Sequence, residues 1–330
     1  MQRRFLAVSL IALAAFFGGP ICAFAIEANA RAEAANSVTL DEVKRHVEVL
    51  ADDTFEGREA GSRGNRAAGL YIIDALKNDG IAGGGPGGDY YQTGEQSNSI
   101  LGLVPGSDPV LKDEVILVGA HYDHVGYGTA RTSYGPLGYI HNGADDNASG
   151  VAATLEVAQA ISQLPQKPKR TILFAFWDGE EKGLWGSKYW VEHPTVPLEN
   201  VRVAINADMV GRLRESLTVY GTRTAPGLRE FVSRANSPGV VIDFNWDIKG
   251  DSDHYSFFNR NIPFVMLHTG LHDDYHRPSD DAHKINHEGL HEVAQLLFGL
   301  VVELADAPSL GKFRSQSRLE SQFVRRGVEV

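Results

Sequence analysis

The chain is nearly free of cysteine: Cys22 is the single one in 330 residues. A disulfide framework is therefore excluded, and no thiolate past residue 22 can serve as nucleophile or metal ligand. An excess of basic charge is also missing. The net charge is -11, whereas a general nucleic-acid binder carries a basic footprint. No apolar run reaches the roughly 20 residues that span a bilayer. Neither a G-x-S-x-G serine-hydrolase elbow nor a G-K-S/T phosphate loop occurs. A metal site here must use His, Asp and Glu.

What is present begins with a targeting segment. Arg3 and Arg4 precede an apolar run from Phe5 to Phe17, and Ala23-Phe24-Ala25 is an A-x-A cleavage site, with Ala28-Asn29-Ala30 as the alternative. Residues 1–25 are expected to be a cleaved secretory signal peptide, which places the mature protein outside the cell or in a periplasm without a stable membrane anchor. Residues 26–38 are expected to be a flexible lead-in, 39–306 the globular domain, and 307–330 a polar, disordered tail.

Within the domain, Thr39-Leu40-Asp41-Glu42 is a capping box opening a helix to about residue 51. A second helix is expected over 65–79, stopped by Gly80. "GGGPGG" at 83–88 reads as a turn or plain linker. Then short apolar runs suited to buried strands, at 115–120, 171–177, 201–207 and 262–267, alternate with helical segments at 150–164, 183–193 and from 287 to about 305. This alternation indicates an α/β three-layer sandwich: a central mixed, largely parallel sheet with helices on both faces.

Chemistry-bearing residues follow the strands. His121-Tyr122-Asp123-His124 comes after the first, Asp178-Gly179-Glu180-Glu181 after the second, Asp208 after the third, and Tyr275-His276-Arg277-Pro278 after the fourth. "GADDNASG" (143–150) precedes a helix. Open α/β sheets bind ligands outside the carboxyl ends of their strands, so one site can collect all of these residues. Each piece alone has an ordinary structural explanation: a hydrogen-bonded histidine, a solvated glutamate pair, an Asx turn.

Their joint order, H-x-D, G-A-D-D-N-x-S-G, G-E-E, N-x-D-M-V-G and Y-H-x-P, closely resembles the M28 family of co-catalytic zinc aminopeptidases. The likeness covers about residues 39–305 and extends to "LADDTFEGREAGSRGNRAAGLYI". It implies a zinc exopeptidase-like fold and two Zn²⁺ ions, other divalent metals being possible. His121 and Asp208 would bind one ion, Glu181 and His276 the other, and Asp146 would bridge both. The peptide bond after the bridging Asp is typically cis in the family. Asp123 would orient His121, Glu180 would be the general base acting on a metal-bridged hydroxide, and Tyr275 would donate to the developing oxyanion. Hard oxygen and borderline nitrogen donors suit zinc. Two metals about 3.5–4 Å apart can activate water and polarise a carbonyl. The substrates implied are peptides with a free N-terminus. With about 30 residues between "YYQT" and His121, the protease-associated insert of some relatives looks absent, and loops 125–140 and 244–258 are expected to line the substrate pocket.

Four alternatives compete. His287-Glu288-Gly289-Leu290-His291 is a literal H-E-x-x-H, but no His or Cys follows it, and Glu303 lies about 18 Å along the same helix. Asn286 suits an N-cap, and Glu288, His291, Glu292 and Gln295 fall opposite the apolar stripe, which favours a capped surface turn. "SDHYSF" (252–257) gathers Ser, Asp and His, although adjacent residues do not readily form a triad. A metal-free peptide-binding relative should have lost ligands or the base. Glutaminyl cyclisation or carboxypeptidase action would keep the fold and change the reaction.

Overall fold

The computed structural model describes residues 20–325. Its strands are β1 (Ala82–Gly83), β2 (Tyr91–Thr93), β3 (Asn98–Val104), β4 (Val115–His121), β5 (Thr171–Trp177), β6 (Val201–Ala207), β7 (Leu217–Tyr220), β8 (Ile242–Phe244) and β9 (Phe264–His268). The helices are α1 (Pro20–Ser37), α2 (Leu40–Leu50), α3 (Arg63–Asn78), α4 (Gly150–Gln163), α5 (Trp185–Glu192), α6 (Leu228–Ala235), α7 (His254–Asn259), α8 (His287–Asp306) and α9 (Gln316–Arg325).

The strands form one sheet in the order β1-β3-β5-β4-β6-β9-β7-β8, with β2 paired to β3. The middle four, β5-β4-β6-β9, are parallel, and antiparallel pairs join them to both margins. Side chains alternate across the pleat. Ile116, Val118 and Ala120 of β4 and Ile172, Phe174 and Phe176 of β5 enter the larger core, shared with α2, α3, α4, α6 and α8. Leu117, Leu173, Ala175 and Trp177 face the opposite way, against α5 and α7. The sandwich expected from the sequence is therefore present.

Helix ends follow local rules. Thr39 Oγ1 accepts the Glu42 N–H at 3.2 Å, while its hydroxyl donates to Glu42 Oε2 at 2.9 Å. The Thr39 N–H goes instead to Oε2 of Glu156 at 3.3 Å, replacing the reciprocal half of the capping box. At the end of α3, Gly80 has φ +69° and the Ile81 N–H reaches Leu76 O at 2.9 Å, a Schellman closure.

Several boundaries differ from expectation. The last of the four strands begins at Phe264, after Pro263, which has no N–H to give a ladder. "GGGPGG" joins the sheet margin: Gly83 pairs with Gly102, and a Cβ at Gly83 would lie 2.4 Å from Gly88 O. Residues 26–37, read as a lead-in, belong to α1, where Ala34 is buried and Arg31 meets Asp306 at 2.7 Å. In the tail, Leu310 and Ser317 are buried and 316–325 is the helix α9. The expected signal peptide falls largely on residues 1–19, outside the described residues. Among the described residues no helix is long and apolar enough to cross a membrane.

Candidate metal centre

From β4 the chain passes through α4 to β5 on one side, then returns past β4 to β6 on the other. Such a reversal opens a crevice at the carboxyl ends of the strands. His121 ends β4, Glu180 and Glu181 follow β5, Asp208 follows β6, and Tyr275 and His276 lie on the segment after β9.

Asp146 sits between two groups of donors. Its Oδ1 is 3.2 Å from His121 Nε2, which is 3.5 Å from Asp208 Oδ1. Its Oδ2 is 3.1 Å from His276 Nε2, which is 3.1 Å from Glu181 Oε2. Donors of a tetrahedral ion bound at about 2.0–2.2 Å stand roughly 3.3 Å apart, so both groups have the spacing of a metal shell. One donor atom each from His121, Asp146 and Asp208 lie within 4.8 Å of one another, as do those of His124, Asp146, Glu181 and His276. His276 Nε2 is buried and aligned for a hydrogen bond with neither nearby carboxylate. A nitrogen aimed between two carboxylates without bonding to either fits a shared cation.

Electrostatics agrees. Burial alone would lower the basicity of His276, yet the carboxylates of Asp146 and Glu181 raise its pKa to about 11. Burial also opposes a charge on His121, but Asp208, Glu180, Asp123 and Asp146 hold it well above the histidine range. The pocket thus demands positive charge, which protons supply when no cation does. Glu180 is pushed well above the carboxylate range by burial and by Glu181, Asp253 and Asp208, with His121 opposing. Burial pushes the Tyr275 phenol up, so its O–H remains a donor.

A scaffold holds Asp146 in place. The Asp146–Asn147 peptide bond is cis. Asp280 Oδ2 accepts the Asp145 and Asp146 N–H groups at 2.9 and 3.1 Å. Asn147 donates to Ala207 O at 3.0 Å and accepts from Met209 N at 3.2 Å, tying the turn to both neighbours of Asp208. Asp145 itself accepts from Gly211 N at 2.6 Å. The Asp123 carboxylate accepts the Glu180 N–H at 3.0 Å. It lies 3.7 Å from His121 Nδ1, which is closer, at 3.1 Å, to the Asp123 main-chain oxygen.

The early motif "FEGREAGSRGN" buttresses the centre. Arg58, 1% exposed, donates to the carbonyls of Leu50, Tyr122, Asn142 and Gly143. Burial lowers its pKa to about 10, with Asp146 and Asp123 opposing that fall. Asn65 donates to Asp178 at 2.9 Å.

All eight residues singled out from the sequence converge on this edge. His124 was not among them, although its Nδ1 is 2.8 Å from Glu181 Oε1; only its place directly after H-x-D hinted at a role. Two clefts flank the segment bearing His276. One of 470 Å³ is lined by Tyr134, Leu271, His272, Asp273, Tyr275 and Arg277. The other, of 300 Å³, includes Asp247, Asp251, His254 and His268. Both expected loop regions therefore reach the neighbourhood of the site.

The rejected motifs are accounted for. His291 Nε2 donates to Val38 O at 2.9 Å, and Asn286 Oδ1 caps the helix by accepting the Gly289 N–H at 3.0 Å. In "SDHYSF", Ser252 bonds Asn206 and His254 bonds Lys249 O, so no triad forms.

Comparison with known proteins then decides the family, since residues 99–301 match the model of peptidase family M28. The chain belongs to this family. It is 30% identical over 291 residues to leupeptin-inactivating enzyme 1 of Streptomyces exfoliatus, covering 86% of this chain and 61% of that one. The chain spans between 45% and 61% of the first three curated relatives it matches. Its fold is that of Legionella pneumophila LapA aminopeptidase, with TM-score 0.70, 20% identity, and coverage of 86% of this chain and 76% of the other. Porphyromonas gingivalis glutaminyl cyclase shares the fold too, at TM-score 0.68 and 22% identity over 81% of this chain and 98% of that one.

Proposed function

We propose that this M28 chain is a secreted or periplasmic di-zinc metallopeptidase that removes N-terminal residues from peptides. The observation that carries the reading is Asp146 with one oxygen in each of two donor groups, beside Glu180. His121, Asp208 and Asp146 would hold one ion; His276, Glu181 and Asp146 the other. When bound, the ions supply Lewis acidity and lower the pKa of water.

The chain's own groups do the rest. Glu180 takes the proton from the attacking water and returns it to the leaving amine. A carboxylate in that role typically contributes about 10²–10⁴-fold. Tyr275 donates its O–H to the carbonyl oxygen as charge develops there. The surrounding carboxylates favour a substrate ammonium, which selects a free N-terminus. Residues 1–25 would direct export.

The test combines metal analysis of the purified protein with three substrate classes: free-amine aminoacyl peptides, their N-acetylated counterparts and N-terminal glutaminyl peptides. Two zinc ions per chain and cleavage of free-amine peptides alone are expected. Equal hydrolysis of blocked peptides, or cyclisation of the glutaminyl peptide without cleavage, would contradict the reading.

A further inference from the structure

We infer that His124 is a positioning residue of the second metal site, donating Nδ1–H to Oε1 of Glu181 and thereby turning Oε2 toward the ion. The inference rests on the metal reading proposed above. Glu181 divides its oxygens between two histidines: Oε2 stands 3.1 Å from His276 Nε2, and Oε1 stands 2.8 Å from His124 Nδ1. The first spacing suits two donors around one cation. The second is shorter than donors around a tetrahedral ion, roughly 3.3 Å, and is the length of a charge-assisted N–H···O bond.

The opposite ring nitrogen decides between ligation and donation. Among the described residues the buried His124 Nε2 has no hydrogen-bond partner. Were Nδ1 a ligand, neutral imidazole would carry its proton on Nε2, leaving an N–H buried without an acceptor. With the proton on Nδ1, that donor is satisfied by Glu181 and Nε2 presents only a lone pair. The ring is also held from several sides. His124 is fully buried, its backbone N–H meets Arg58 O at 3.3 Å, and it packs edge-on against His276 with centroids 5.5 Å apart. Gly143 makes room for it, since a Cβ there would lie 2.5 Å from His124 Cγ and Cδ2. A carboxylate with one oxygen so engaged presents the other in a fixed direction, and loss of such a partner typically weakens metal binding about 10–100-fold.

The experiment titrates zinc into the metal-free full chain and resolves both dissociation constants for wild type, His124→Leu and His124→Asn. The Asn amide places an N–H donor where Nδ1 was. The Leu variant should weaken one site about 10–100-fold and leave the other unchanged, and Asn should restore most of the loss. Unchanged affinity in the Leu variant overturns the inference, as does an Asn variant no better than Leu. Fewer than two ions on wild type would sink the metal reading itself and this inference with it. Should the variants not fold, ¹⁵N spectra of histidine rings in zinc-loaded wild type answer the same question. A protonated Nδ1 at His124 is expected, and a metal-coordinated Nδ1 overturns the inference.

Discussion

His291 and His276 show that a residue's chemistry is set by what its nitrogen faces. Both follow recognisable protease sequence patterns. His291 spends its Nε2 on the Val38 carbonyl, in the first turns of a helix whose apolar stripe is in the core. His276 aims its Nε2 between two carboxylates with which it makes no aligned hydrogen bond. His291→Ala should therefore leave zinc content and peptidase turnover within about twofold of wild type, at a stability cost near 1 kcal/mol for the lost hydrogen bond. Loss of zinc in that variant, measured by elemental analysis, would revive the H-E-x-x-H motif. His121, Glu181 and Asp208 were legible because each stands at or close after the end of a buried apolar run, whereas Asp146 and His276 were legible from the G-A-D-D-N-x-S-G and Y-H-x-P patterns around them. His124 was not, because its tie to Glu181 joins positions 57 apart and exists only once β4 and β5 are neighbours.

At the scale of elements, legibility followed burial. β4, β5 and β6 are covered on both faces and read as continuous apolar runs. The marginal strands β1, β2, β7 and β8 are two to four residues long and part-exposed, so no sequence period marks them. β3, seven residues carrying Asn, Ser and Gly, went unrecognised for a different reason: its pairing with β5 is antiparallel and long-range. The end of α3 carries a testable electrostatic cost. Asp79, at its C-cap, has its pKa raised from 3.8 to about 6, chiefly by burial and then by Glu156. A raised folded-state pKa means the protonated form is favoured by folding. Stability from this group is full below pH 3.8 and is lost as pH rises through about 6. Asp79→Asn should thus stabilise the protein at pH 8 by on the order of 1 kcal/mol, discounted for partial exposure, with the gain vanishing near pH 4. Denaturant midpoints at the two pH values check this, and a gain independent of pH would refute it.

At the scale of the molecule, the fold works by convergence. Four parallel strands end at one edge, and a reversal of strand order opens the crevice there. Arg58, Asp280 and Asn147 then fasten the intervening turns to that edge. The two ends of the chain were the least legible part. Ala-rich 26–37 and polar 307–325 read as loose ends, yet Ala34, Leu310 and Ser317 are buried, Arg31 meets Asp306, and Arg318 donates to Phe258 O at 2.6 Å. The central claim is that Glu180 moves the proton while five other side chains hold two ions. Glu180→Gln keeps the shape of the side chain and removes its basicity. The most direct measurement is the turnover of a free-amine peptide by this variant alongside its zinc content. The account predicts a fall of about 10²–10⁴-fold with two zinc ions retained. Undiminished turnover, or a loss of activity that follows a loss of zinc, would contradict it.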